Sequence, residues 1–95
     1  MSKGDVISDI QSIEAAAFLD IHPALKREWV VNNIFFNSSV ELYWSDGVNN
    51  LLCDCYLGFG RWSWEVIHLT NSIYLRVKNV SDTATLVGYS GIILK

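Results

Sequence analysis

Proline and methionine each occur once, cysteine twice, and no stretch is basic, repetitive or continuously apolar over the width of a membrane. Each shortage excludes something. Without a low-complexity linker or an internal repeat, the 95 residues read as one unit. No apolar run approaches the roughly 18–20 residues of a membrane-spanning helix, and the amino terminus lacks the basic start and apolar stretch of a signal peptide. Synthesis in the cytosol, no secretion and no membrane partner are therefore expected. Seven Lys and Arg against ten Asp and Glu provide no basic stripe to track a phosphate backbone, which argues against nucleic acid as a partner.

The chemistry-bearing residues are equally sparse. Cys53 and Cys55 are one residue apart, so on a strand they share a face about 7 Å apart, a spacing that disfavours a bridge. Reduced thiols agree with a cytosolic origin, which also makes the sequons at Asn37 and Asn79 irrelevant as glycan sites. A thiol nucleophile would have to draw its base from His22 or His68, and nothing in the sequence brings either to Cys53 or Cys55. Cys53, Asp54, Cys55 and His68 lack the two-residue knuckle spacing of a structural zinc site. The expectation is no enzyme, no cofactor and no metal.

What is present is hydrophobic: 51% of residues are apolar, 13% aromatic and only 18% charged, the profile of a chain that folds. A domain this small buries only about 60–65% of its unfolded surface, so so apolar a chain keeps hydrophobic surface for another subunit. The formal charge of −3 lies wholly in the first twenty residues, where Asp5, Asp9, Glu14 and Asp20 face a single Lys3.

Periodicity divides the chain at about residue 17. Val6, Ile7, Ile10, Ile13 and Ala17 fall at helical spacing, but Ser8, Ser12 and the lack of caps weaken a helix. Residues 1–16 are thus expected to be a short helix, or an arm that orders against a neighbour. Beyond them, alternation predicts strands over Phe18–Ile21, Glu28–Phe36, Val40–Ser45, Leu51–Leu57, Trp62–Leu69, Ile73–Lys78 and Ala84–Leu94. Asp46-Gly47 marks a hairpin, Pro23 ends the first of these strands, and Gly88 and Gly91 predict a bulge or bend in the last. The second strand carries Trp29 and Val31 on one face and Val30, Ile34 and Phe36 on the other, which suits a central position. The fold class is all-β, a small sandwich or jelly roll of seven to eight short antiparallel strands over residues 17–95 with an N-terminal arm.

Two sets of residues are candidates for contacts. Val6, Ile7, Ile10 and Ile13 of the arm, with an outward ladder of Tyr74, Arg76 and Lys78, suit a protein partner or a second copy of the chain. Trp62 and Trp64, alternating on one face with Tyr43 nearby, suit a sugar platform; as the main source of buried area in so small a domain, the same tryptophans fit core or subunit interface better.

The stretches Glu28-Trp29-Val30-Val31-Asn32-Asn33-Ile34 leading to Val40-Glu41-Leu42-Tyr43 with Asp46-Gly47, and His68-Leu69-Thr70-Asn71-Ser72 leading to Tyr74-Leu75-Arg76-Val77-Lys78-Asn79, with Gly88-Tyr89-Ser90-Gly91, resemble the small β-rich accessory proteins of tailed-phage virions. The resemblance lies in strand texture and turns, and carries over no site residue. It implies a structural virion protein, above all a capsid decoration or cement protein, whose partner is the major capsid protein or another virion protein and which forms homo-oligomers. The alternative expectation is a carbohydrate-binding β-sandwich or a tail or fibre receptor-binding module.

Overall fold

The computed structural model describes residues 4–62 and 67–95. It contains nine strands: β1 (Val6–Ile13), β2 (Phe18–Ile21), β3 (Glu28–Phe36), β4 (Val40–Ser45), β5 (Asn50–Tyr56), β6 (Gly60–Trp62), β7 (Ile67–Thr70), β8 (Tyr74–Asn79) and β9 (Thr85–Ile93), with no helix among the described residues. Sheet A runs β1-β9-β3-β6, with β7 also paired to β3, and sheet B runs β2-β8-β4-β5; every pairing is antiparallel. The sheets meet as a sandwich. Ile7, Ile13, Trp29, Val31, Ile34, Phe36, Leu69, Val87 and Ile93 from sheet A pack against Leu19, Ile21, Val40, Leu42, Leu75 and Val77 from sheet B.

The all-β expectation holds, and β2, β3 and β4 have the limits that alternation predicts. The strand expected over Trp62–Leu69 corresponds to two described strands, β6 and β7, which pair with opposite ends of β3. β3 is indeed central, but for a different reason from the one its two-faced pattern suggests. Val31 pairs with Gly91 and Asn33 with Ser90, so Asn32 is an extra residue on β3. The bulge reverses the parity of the strand, and Trp29, Val31, Ile34 and Phe36 all reach the core. Gly91 makes the bulge possible: a Cβ there would stand 2.1 Å from the Val30 carbonyl oxygen and 2.9 Å from the Val31 Cα.

Residues 6–13 correct the expectation of a helix or a detached arm. They form β1, paired with β9 along its whole length from Val6↔Ile92 to Ile13↔Thr85. Ile7 and Ile13 face the core, whereas Asp9 and Gln11, at the same parity, lie where the edge of the sandwich is open. Those two polar residues on the inner face hide the alternation and leave an accidental helical spacing.

The end of β1 is held by Asn79, which is fully buried. Its Nδ2 donates to the carbonyls of Ile13 (2.9 Å) and Thr83 (2.8 Å), and its Oδ1 accepts from the Ser81 amide (2.9 Å) and from Thr85 Oγ1 (3.2 Å). The Asn79 backbone completes the knot, receiving Ala16 N and donating to Ala17 O.

Candidate functional site

The two outer faces of the sandwich differ in what they leave unsatisfied. On sheet B the registers align Phe18, Lys78, Glu41 and Cys55 in one row and Asp20, Arg76, Tyr43 and Leu52 in the next. Arg76 Nε donates to Asp20 Oδ1 at 2.7 Å while its guanidinium lies 3.9 Å above the Phe18 ring. Phe18 meets Tyr43 edge-on with ring centroids 5.9 Å apart, and the Tyr43 hydroxyl donates to Glu41 Oε1 at 2.6 Å, which raises the phenol above its ordinary pKa. The ions and rings of β2, β8 and β4 are consumed within the chain, while Leu52 at the β5 edge and Leu57 and Phe59 in the loop after it stay exposed.

This corrects the outward ladder. Tyr74, Arg76 and Lys78 do share the outer side of β8, as alternation requires, but they are not a free row. Tyr74 is buried beneath His22, whose ring stacks on it at 3.7 Å, Arg76 is closed on Asp20, and Lys78 leans over Phe18 at 5.8 Å. The sugar platform is not assembled as expected either: Tyr43 faces outward from sheet B, whereas Trp62 belongs to β6 of sheet A. Trp64 lies outside the described residues.

The thiols sit apart from the imidazoles. Cys53 is the extra residue of a bulge between β4 and β5, where Leu42 pairs with Asp54 and Tyr43 with Leu52; its Sγ donates to the Leu42 carbonyl at 3.3 Å. Burial, aided by the charge of Asp54, pushes that thiol up and makes it a poorer nucleophile. β5 is an edge of sheet B, while His68 is on β7 of sheet A, bonded to Glu28 Oε1 at 2.7 Å, and His22 is engaged with the Asn71 carbonyl at 2.8 Å. Among the described residues no three His, Cys, Asp or Glu side chains converge on a point that would hold a metal ion.

The outer face of sheet A is open. Pairing aligns Ile10, Gly88, Phe35 and Arg61 in a single row across β1, β9, β3 and β6. Val6, Ile92 and Val30 form a second row, and Ser8, Ser90 and Asn33 lie between the two. Five large apolar side chains on this face remain exposed: Val6 at 73%, Ile10 at 74%, Leu86 at 50%, Phe35 at 45% and Ile92 at 44%. Between Ile10 and Phe35 lies Gly88, which is buried. A groove of about 760 Å³ there is lined by residues that include Ser8, Ile10, Phe35, Asn37, Leu86 and Ser90. A Cβ on Gly88 would stand 3.0 Å from the Asp9 carbonyl oxygen and from Ile10 Cγ1, so glycine lets β1 lie close. Arg61 stands at the β6 edge of this face, and a second group of charges lies at the other end of β3, where Glu28 holds His68 and, at 3.6 Å, Lys95.

Of the arm candidates, therefore, Val6 and Ile10 stand on the open face, while Ile7 and Ile13 belong to the core. Phe35, Leu86, Gly88 and Ile92 complete the face. Only their register brings them together, and no local pattern in the sequence announces it.

No protein family and no curated protein matches the chain. Among solved structures the chain matches the crystal structure of the capsular polysaccharide assembling protein CapF from Staphylococcus aureus, with a TM-score of 0.42 and 11% identity over 95% of this chain. The chain spans 25% of the length of that protein.

Proposed function

We propose that the chain is a non-catalytic structural domain that works by packing the outer face of sheet A against protein, and that it does so as a tailed-phage virion accessory protein of the capsid decoration type. The observation that carries the binding reading is the contrast between the two outer faces. Sheet B closes the ions and aromatic rings of β2, β8 and β4 on one another and leaves Leu52 open at its β5 edge, whereas sheet A presents Val6, Ile10, Phe35, Leu86 and Ile92 across β1, β9 and β3. A contiguous apolar patch on one side of a small sandwich is the usual mark of a protein contact. The resemblance in strand texture supplies the setting: synthesis in the host cytoplasm and assembly on a lattice of major capsid protein or another virion protein. A lattice engages many copies together, so a modest face on each chain suffices for firm attachment.

The test is the copy number of the chain in purified phage particles, measured by quantitative mass spectrometry. A virion accessory protein is present at a fixed stoichiometry to the major capsid protein. Its absence from particles, or trace amounts that vary between preparations, would remove the virion assignment.

A further inference from the structure

We infer that β5 is a strand-addition edge, and that its occupant is an extended segment of a partner protein in which basic and apolar residues alternate. This edge lies apart from the outer face of sheet A and does not depend on the virion assignment.

β5 ends sheet B, so one side of its backbone has no strand beside it. Its seven residues, against four in β2 at the other end of the sheet, give a paired strand the length it needs. The open backbone shows at Cys55, which stands opposite Glu41 of β4 yet donates its amide to Asp54 Oδ1 at 2.9 Å. In an antiparallel ladder alternate residues turn their amide and carbonyl away from the neighbour, and here the side chain just before it covers the outward amide. The other oxygen of the same carboxylate accepts from the Tyr56 hydroxyl at 2.8 Å. Asp54 thus holds the place of a partner's carbonyl, through local bonds that reach one and two residues along the chain.

A strand that displaces the carboxylate has to bring two things: a carbonyl for the Cys55 amide and a positive charge for the released Asp54. The surrounding charge selects the same partner. From Trp29 to Gly60 the chain carries Glu41, Asp46 and Asp54 and no Lys, Arg or His. Glu41 has Lys78 opposite it on β8, but neither Asp46 nor Asp54 forms an ion pair among the described residues. A second copy is the wrong occupant, because β5 against β5 brings two such acidic hairpins together.

The apolar half of the pattern comes from Val48, Leu51, Leu52, Leu57 and Phe59, all exposed and placed in and at both ends of β5. Leu52 lies opposite Tyr43 on the outer side of the sheet, and Asp54 opposite buried Leu42 on the inner side. A strand laid beside β5 therefore meets apolar surface on one face and the carboxylate on the other, which calls for alternation. β1, the long edge of sheet A, has Asp9 in the same posture over the Ile10 amide at 2.9 Å, but its exposed apolar side chains, Val6 and Ile10, belong to the outer face of that sheet.

The full chain labelled with nitrogen-15 and three capped peptides of about nine residues test this at low ionic strength. One peptide alternates Lys and Val, one alternates Glu and Val, and one gathers the same Lys and Val into two blocks. The alternating basic peptide should bind at least roughly tenfold tighter than either of the others, move the amides of β5 most and slow hydrogen exchange at Cys55. Asp54→Asn keeps an acceptor over the Cys55 amide but removes the charge, and should weaken that peptide about fivefold, the size of one half-exposed ion pair. Asp9→Asn, the matching change on β1, should leave binding as in wild type, and the spectra of both variants report their folding. Failure of the alternating basic peptide to bind, equal binding of the three peptides, an Asp54→Asn chain that binds like wild type, or shifts centred on β1 or the outer face of sheet A would each overturn the inference. So would a dimer of the free chain in which the Cys55 amide is already protected, since the occupant would then be a second copy.

Discussion

The side-chain amide of Asn79 donates to the carbonyl of Ile13 at 2.9 Å, across 66 positions of sequence, and so ties the first strand to the turn before the last. The carboxamide is fully buried and satisfied at both ends, which makes it costly to replace. Asn79→Ala removes the donor to the Ile13 carbonyl and the acceptor of the Ser81 amide, and should lower stability by about 3–5 kcal/mol. Removing residues 1–16 costs the burial of Ile7 and Ile13, about 3–6 kcal/mol, and bares the edge of β9. Chemical denaturation checks both; a truncated chain as stable as the intact one would show that β1 is a detachable arm after all.

Gly91→Ala is the sharpest test of the β3 bulge. The added methyl would sit 2.1 Å from a backbone oxygen, where no side chain can move aside, so the variant should lose about 4 kcal/mol or more, or fail to fold. Gly88→Ala meets the Asp9 carbonyl oxygen and Ile10 Cγ1 at 3.0 Å, a smaller overlap than at Gly91, and should be milder. Equal melting temperatures for the two variants would contradict the close approach at Gly91.

These positions also show how far the sequence is readable. In β4, Val40 and Leu42 are buried between half-exposed Glu41 and Tyr43 and the strand can be read directly, although Ser45, on the outer side, is buried as well. In β3 the bulge at Asn32 changes parity midway, so the same rule assigns two faces where one core face exists. In β1 the inner positions Asp9 and Gln11 lie beyond the cover of sheet B, and alternation disappears at an edge. The open face itself is illegible, because Ile10, Phe35 and Gly88 come from three strands and become neighbours only through register. The charges on β8 misled for a related reason: their partners Asp20 and Phe18 stand on β2, far away in sequence.

Acid should loosen the β4–β5 turn last. Asp46 is held at about 2, from an ordinary 3.8, chiefly by the backbone and side-chain donors of Asn49 and then by the Val48 amide. A carboxylate lowered on folding contributes stability above the unfolded value and loses it as pH falls through the folded one. The amide resonances of Val48 and Asn49 should therefore titrate near pH 2; a midpoint near 4 would mean the turn is not capped in this way.

At the alkaline end, Tyr56 is raised to about 12, first by burial and then by its bond to Asp54 Oδ2 at 2.8 Å. A phenol raised on folding stabilises fully below its unfolded value of 10, and that contribution is lost as pH rises through about 12. Phenolate absorbance should show this tyrosine ionising well after a free one, and Tyr56→Phe should remove the late step. A titration of the intact protein that finishes near pH 10 would contradict the packing of Tyr56 against the core.

The central claim is that the outer face of sheet A is where the chain acts, and the binding of purified protein to phage particles lacking it tests that most directly. Wild-type chain should saturate at a fixed number of copies per particle, and Phe35→Lys, which leaves the core untouched, should bind at least roughly thirtyfold more weakly. Equal binding by wild type and Phe35→Lys would contradict the account.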